Sequence, residues 1–137
     1  MESRVHPLLQ VSNLQTSFFT DQGEIKAVDD VSFALYGGQT LALVGESGCG
    51  KSVTALSIMR LLSSPGRVVG GMIMFKGQDL LNLPEKAMRE IRGKSISMVF
   101  QEPMTSLNPV MRIGDQIGEV FQIHTDLSDK AIRQEVI

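Results

Sequence analysis

TLALVGESGCGKS, Thr40 to Ser52, is the stretch on which the fold turns. Thr40–Val44 is a short, almost wholly apolar run, the pattern of a strand buried on both faces as in a parallel sheet. From Lys51 onward the period changes, and Val53, Leu56, Met59 and Leu62 fall near helical spacing. Between strand and helix, Gly45-x4-Gly50-Lys51-Ser52 satisfies G-x(4)-G-K-[ST] at every defined position. A chance match in a chain this long arises roughly once in a few hundred sequences. The strand–loop–helix context is also the one the mechanism requires.

The chemistry of such a loop is the holding of phosphate. Successive backbone N–H groups of Gly45, Glu46, Ser47, Gly48, Cys49, Gly50, Lys51 and Ser52 converge on anionic oxygens. The following helix adds partial positive charge at its N-terminus. Gly45, Gly48 and Gly50 let the backbone curl without Cβ clashes. Lys51 supplies a point charge for the β and γ phosphates, and the Ser52 hydroxyl is a ligand for Mg²⁺. Cys49 has two readings: a reactive thiol at a helix N-terminus, or a small spacer whose backbone matters. The spacer is favoured, because nothing near it in sequence serves as a base or resolving thiol.

A second constellation follows SISMVF, Ser95 to Phe100, another candidate buried strand. Gln101 comes directly after it, and in parallel α/β sheets ligands bind beyond the carboxyl ends of strands. A neutral amide there can orient water and ligate metal. Position alone leaves an ordinary polar loop residue equally open.

The remainder reads as ordinary globular sequence. Apolar residues make up 42% and charged residues 20%, with a net charge of −2. That composition argues against disorder, and no basic excess points to nucleic acid. One cysteine excludes an internal disulfide. The N-terminus carries no apolar signal segment, and no run approaches the ~20 apolar residues of a membrane span. Strands are expected at Leu8–Phe19, Ala27–Gly38 and from Gly70 towards Leu80, with a turn at Asp21–Glu24. A helix is expected from Pro84, with Glu85 near its start, Arg89 and Arg92 near its end and Gly93 beyond. Ile113, Ile117, Val120, Phe121 and His124 mark one face of another. Ser128 is an N-cap candidate for a last helix carrying Ile132 and Val136.

GESGCGKS together with VFQEP resembles the ATP-binding-cassette (ABC) ATPases. The flanking stretches AVDDVSFALYGGQTLALVGESG, GESGCGKSVTALSIMRLL and VFQEPMTSLNPVMRIGDQIGE look like the oligopeptide/dipeptide importer branch, which includes nickel and glutathione uptake. The resemblance runs from about Leu8 to about Glu119. It implies an α/β fold: a P-loop core with an N-terminal antiparallel β subdomain over residues 8–112 and the start of a helical subdomain over 113–137. It implies that Gly45–Ser52 grip ATP and that Gln101 touches Mg²⁺ and water and relays nucleotide state to a permease. It also implies an aromatic stacked on adenine, for which Phe18 and Phe19 are candidates and core packing of either an equal alternative. Implied partners are transmembrane permease subunits, a second ATPase subunit and, indirectly, a solute-binding protein. The implied location is the cytoplasmic face of the cell membrane, and no nucleic acid is involved.

The sequence departs from that family in lacking an LSGGQ-type signature, an apolar strand ending in Asp-Glu, and a downstream switch histidine. The expectation is that these 137 residues are the N-terminal part of a longer ATPase, bind nucleotide weakly and do not turn it over. Two other readings stand beside it. Another P-loop enzyme, a GTPase or small-molecule kinase, is opposed by the absence of an NKxD-type motif and of an arginine-rich lid. A non-catalytic nucleotide-binding module is favoured by the missing acidic strand.

Overall fold

The computed structural model describes residues 6–101 and 107–137. Its contacts divide the chain into two units, Met1–Pro84 and Glu85–Ile137.

The first unit is built on strand β1 (Leu9–Thr20). It pairs antiparallel with β2 (Gly23–Leu35) on one side and with β3 (Gly66–Phe75) on the other. A short β4 (Gln78–Asp79) pairs with β3, giving the order β2-β1-β3-β4. Sequence placed the third strand from Gly70, but β3 begins four residues earlier, at Gly66. The β3–β4 turn is Lys76-Gly77, with φ of +48° and +81°. Two successive left-handed residues give the hairpin turn whose twist matches its strands.

β1 is not a regular strand. Its register against β2 slips between Val11 and Leu14, between Leu14 and Thr16, and between Thr16 and Ser17. Asn13 and Asp30 take left-handed conformations, at φ +49° and +56°. They are joined by a hydrogen bond from Asn13 Nδ2 to Asp30 Oδ1 at 2.6 Å. Opposite, a Cβ on Gly71 would lie 2.5 Å from the Asn13 carbonyl oxygen, so only glycine fits there.

Helix α1 (Lys51–Met59) lies on one face of this sheet. The sequence pattern put Val53, Leu56, Met59 and Leu62 inward. Of these the structure buries Met59, together with Thr54, Ser57 and Ile58, and leaves Val53, Leu56 and Leu62 half-buried. The reason is a polar contact that hydrophobic periodicity does not register. Thr16 Oγ1 and Ser57 Oγ meet at 2.8 Å in the core, and Ser57 Oγ donates to the Val53 carbonyl at 2.7 Å. Thr16 is then the donor to Ser57. In the same unit Val11, Leu14, Val28, Ile73, Phe75 and Leu80 are all buried. The helix ends at Arg60 (φ +52°), where the N–H groups of Arg60 and Leu61 return to Ser57 and Leu56.

The two apolar runs expected as buried strands do not form strands. Residues 40–44 have no ladder partner among the described residues, and Val44 is 89% exposed. Residues 95–100 contribute only a single parallel bridge, between Arg92 and Ile96, and Val99 is 93% exposed. A parallel strand exists only by its hydrogen bonds to neighbours on both sides. An apolar run specifies burial but brings no neighbour with it.

The second unit holds α2 (Glu85–Ile91), α3 (Ile113–His124) and α4 (Asp129–Glu135). Gly93 follows α2 at φ +81°, as the sequence pattern predicts, and Glu85 pairs with Arg92 at 2.6 Å, a contact the pattern did not specify. Ser128 caps α4, its Oγ accepting the Ala131 N–H at 3.4 Å. α3 meets α4 through its glycines: a Cβ on Gly118 would lie 3.3 Å from Ile132, and one on Gly114 would lie 3.7 Å from Val136. The apolar face read from sequence therefore does not form the helix–helix contact. Ile113, Ile117 and Val120 are exposed. His124 is half-buried, and the loop Gln101–Pro109 lies partly outside the described residues.

Candidate phosphate-binding site

The loop Gly45–Gly50 owes its shape to three glycines with three different constraints. Gly48 (φ +83°) needs only the left-handed backbone, since a Cβ there meets nothing within 4 Å. Gly45 carries no positive φ, but a Cβ on it would sit 2.5 Å from Cys49 Sγ. Gly50 needs both: its φ is +91°, and a Cβ would lie 2.3 Å from the carbonyl oxygen of Ala27.

Ala27 is the extra residue of a β-bulge. Thr16 pairs with Val28 and Ser17 with Lys26, so one residue of β1 spans two of β2. The bulge lies where Gly50 packs, and it seats the loop on the sheet. Gly50 is also the N-cap of α1, without a side-chain cap bond. Its carbonyl accepts from Thr54 N–H at 2.8 Å and from Thr54 Oγ1 at 2.9 Å. The first amides of α1 thus face the loop with no side chain occupying them, the arrangement that suits an anion.

Lys51 turns its ammonium back over the loop. Nζ donates to the carbonyls of Gly45 at 2.9 Å and Glu46 at 2.6 Å, and to Cys49 Sγ at 3.4 Å. All three of its donors are engaged on the loop, so the positive charge is held inside the curl. Phosphate oxygens are stronger partners for an ammonium than peptide carbonyls. Cys49 is exposed, and its Sγ lies against Gly45 and accepts from Lys51. Ser52 is exposed in the first turn of α1. No group of three or more His, Cys, Asp or Glu able to hold a metal occurs among the described residues. The exposed Ser52 hydroxyl is an oxygen donor of the kind Mg²⁺ accepts beside phosphate oxygens.

The two aromatic candidates separate by strand geometry. From Thr16 to Phe18 the β1–β3 register is regular, pairing Val68, Arg67 and Gly66 in turn. Side chains alternate along a strand, so Phe18 shares the α1 face with Thr16 and Phe19 faces the other way. The Phe18 ring lies over Gly66, where a Cβ would meet it at 2.6 Å. Phe19 is 37% exposed and stacks under Arg67, whose guanidinium carbon is 4.1 Å from the ring centre. Gln101 is exposed in the second unit. The sequence reading missed the Ala27 bulge, the Thr16–Ser57 pair and the role of Gly66. None leaves a local sequence signal, though the glycine opposite an aromatic is visible once the register is known.

Among the described residues no helix is long and apolar enough to cross a membrane. The chain is 54% identical over 131 residues to the dipeptide transport ATP-binding protein DppD of Bacillus subtilis, covering 95% of this chain and 39% of that protein. It is 47% identical over 130 residues to the oligopeptide transport ATP-binding protein OppD of Salmonella typhimurium, covering 95% and 38%. The chain thus spans about two fifths of the length of these relatives. Its fold matches the structure titled as a dimeric post-hydrolysis state of the ATP-binding cassette MJ0796 bound to ADP and Pi. The TM-score is 0.80 at 19% identity, over 93% of this chain and 53% of that one. A sequence profile of the ABC transporter family matches residues 28–136, and the chain belongs to that family.

Proposed function

We propose that the protein is the ATP-binding subunit of an importer for peptides or related small solutes, and that Gly45–Ser52 hold the nucleotide phosphates. The observation that carries this reading is the loop itself. A sheet bulge seats Gly50, α1 presents uncapped amides, and the Lys51 ammonium is held within the curl. The relatives named above are peptide-transport ATP-binding proteins, which supports the solute class. Lys51 neutralises the transferred phosphate, and the family resemblance assigns Ser52 and Gln101 as ligands for Mg²⁺, which would supply charge neutralisation when bound. Phe18 is the base platform. It shares the α1 face, and its cross-strand partner Ile25 is two residues, about 7 Å of strand, from Ala27. Residues 8–112 make up the β subdomain and P-loop core, and 113–137 begin the helical subdomain.

The partners in this reading are permease subunits, a second ATPase subunit and, through the permease, a solute-binding protein. The protein works peripherally at the cytoplasmic face of the cell membrane. These 137 residues lack an acidic strand end to polarise water, and alone they are not expected to hydrolyse ATP. The test is nucleotide titration and hydrolysis by the whole protein, with Lys51→Ala alongside. Tight ATP binding and turnover, with turnover abolished by the substitution, support the reading. A strong preference for GTP overturns it.

A further inference from the structure

We infer that Gly66 is a positioning residue for the nucleotide base: its empty Cβ position sets the tilt at which the Phe18 ring is offered for stacking. Phe18 and Gly66 are directly opposed across the β1–β3 pair, the arrangement in which cross-strand groups touch. The ring fills the space a side chain at 66 would take. A Cβ there would lie 2.6 Å from Phe18 Cε1 and 3.0 Å from Cδ1 and Cζ. An aromatic laid across a facing glycine is a recurrent pairing in sheets. Here it leaves Phe18 half-buried, resting on backbone at one side and open over part of its surface.

Stability and base binding separate at this contact, because the two partners differ in how far they can yield. Gly66 is tied on both sides. Its N–H donates to the Ser63 carbonyl at 2.8 Å, and the preceding Pro65 carbonyl accepts the Phe19 N–H at 3.1 Å. The Phe18 ring is free to turn about two side-chain bonds. Gly66 carries no positive φ, so alanine fits its backbone. Alanine at 66 therefore moves the ring, by about 0.9 Å or more to reach ordinary carbon contact, and leaves the strand pair in place. Aromatic stacking depends on ring offset and tilt, so a shift of that size weakens it without orphaning a polar group. Phe19 has a different partner: the Arg67 guanidinium carbon stands 4.1 Å from its ring centre and covers that face. The first two residues of β3 thus govern which of two adjacent aromatics receives the base, and at what angle. This inference rests on the reading of Phe18 as the base platform.

The test titrates the whole protein with ATP and with inorganic tripolyphosphate, which keeps the phosphate chain and lacks the base. The variants are Gly66→Ala, Phe18→Ala and the two combined. Gly66→Ala is expected to weaken ATP binding about fivefold, part of the stacking contribution, and to change tripolyphosphate binding by less than about twofold. In the Phe18→Ala background it should change ATP binding by less than about twofold, since the ring it displaces is gone. An equal loss of both ligands marks a purely structural residue and overturns the inference. So does an additive loss in the combined variant. A loss of ATP binding in Phe18→Ala with none in Gly66→Ala sinks the role of Gly66 and leaves the platform standing. Unchanged ATP binding in Phe18→Ala sinks the platform itself, and the role of Gly66 with it. If Gly66→Ala does not fold, NMR of the parent decides. The Gly66 α-protons should carry a ring-current shift that is absent in Phe18→Ala and that persists when ATP binds. Its loss on binding shows that the ring leaves Gly66 to meet the base, which overturns the inference.

Discussion

Alanine at each of the loop glycines separates three physical costs that a motif match merges. Gly48→Ala meets open space at φ +83°, so only the left-handed backbone is charged, about 1–2 kcal/mol. Gly50→Ala carries the same backbone cost at φ +91° and must also clear the Ala27 oxygen. The 2.3 Å approach has to open by about 0.7 Å to reach even 3.0 Å, and the obstacle is backbone held in a strand pair. Overpacking of this kind costs about 1–3 kcal/mol, for a sum near 2–5 kcal/mol. With a urea slope of about 2 kcal/mol per molar, the midpoint drops by roughly 1–2.5 M, against about 0.5–1 M for Gly48→Ala. Gly45→Ala collides only with the Cys49 thiol at 2.5 Å. That side chain can turn away, and Gly45→Ala combined with Cys49→Ala should recover most of the loss. The assay is urea unfolding of the three variants and the double variant, followed by ATP titration of those that fold. Equal midpoints for Gly48→Ala and Gly50→Ala would refute the seating of the loop on the β2 bulge.

Two further outcomes follow from the same geometry. Phe18→Ala should weaken ATP binding about tenfold, on the scale of about 1–3 kcal/mol for base–aromatic stacking, while Phe19→Ala changes it by less than about twofold. Calorimetric titration checks this, and the opposite ranking would mean that Phe19 is the platform. Thr16→Val removes the donor to Ser57, which keeps its own bond to Val53. A loss of about 0.5–1.5 kcal/mol in unfolding free energy is expected, and a gain in stability would show that the buried pair does not tie α1 to β1.

Much of the site was legible because its mechanism is local. Glycine spacing, the following lysine and the change to helical period are properties of contiguous residues. The same holds for the Ser128 cap, the Gly93 stop and the charges of α2. The form of the glycine loop could therefore be read without knowing what surrounds it.

What the tertiary structure decided is relational. Residues 40–44 and 95–100 are apolar enough for buried strands, yet a strand is made by its neighbours, and among the described residues they meet none beyond the single bridge between Arg92 and Ile96. The inward stripe of α1 follows the Thr16–Ser57 hydroxyl pair, 41 positions apart in the chain. The bulge at Ala27 depends on a register summed over both strands, and that register sends Phe18 to the α1 face and Phe19 away from it. Residue identity sets local conformation and the wish to be buried. Which groups meet is settled by pairings between distant segments, because hydrogen-bond ladders and close packing need a partner that no single stretch of sequence contains.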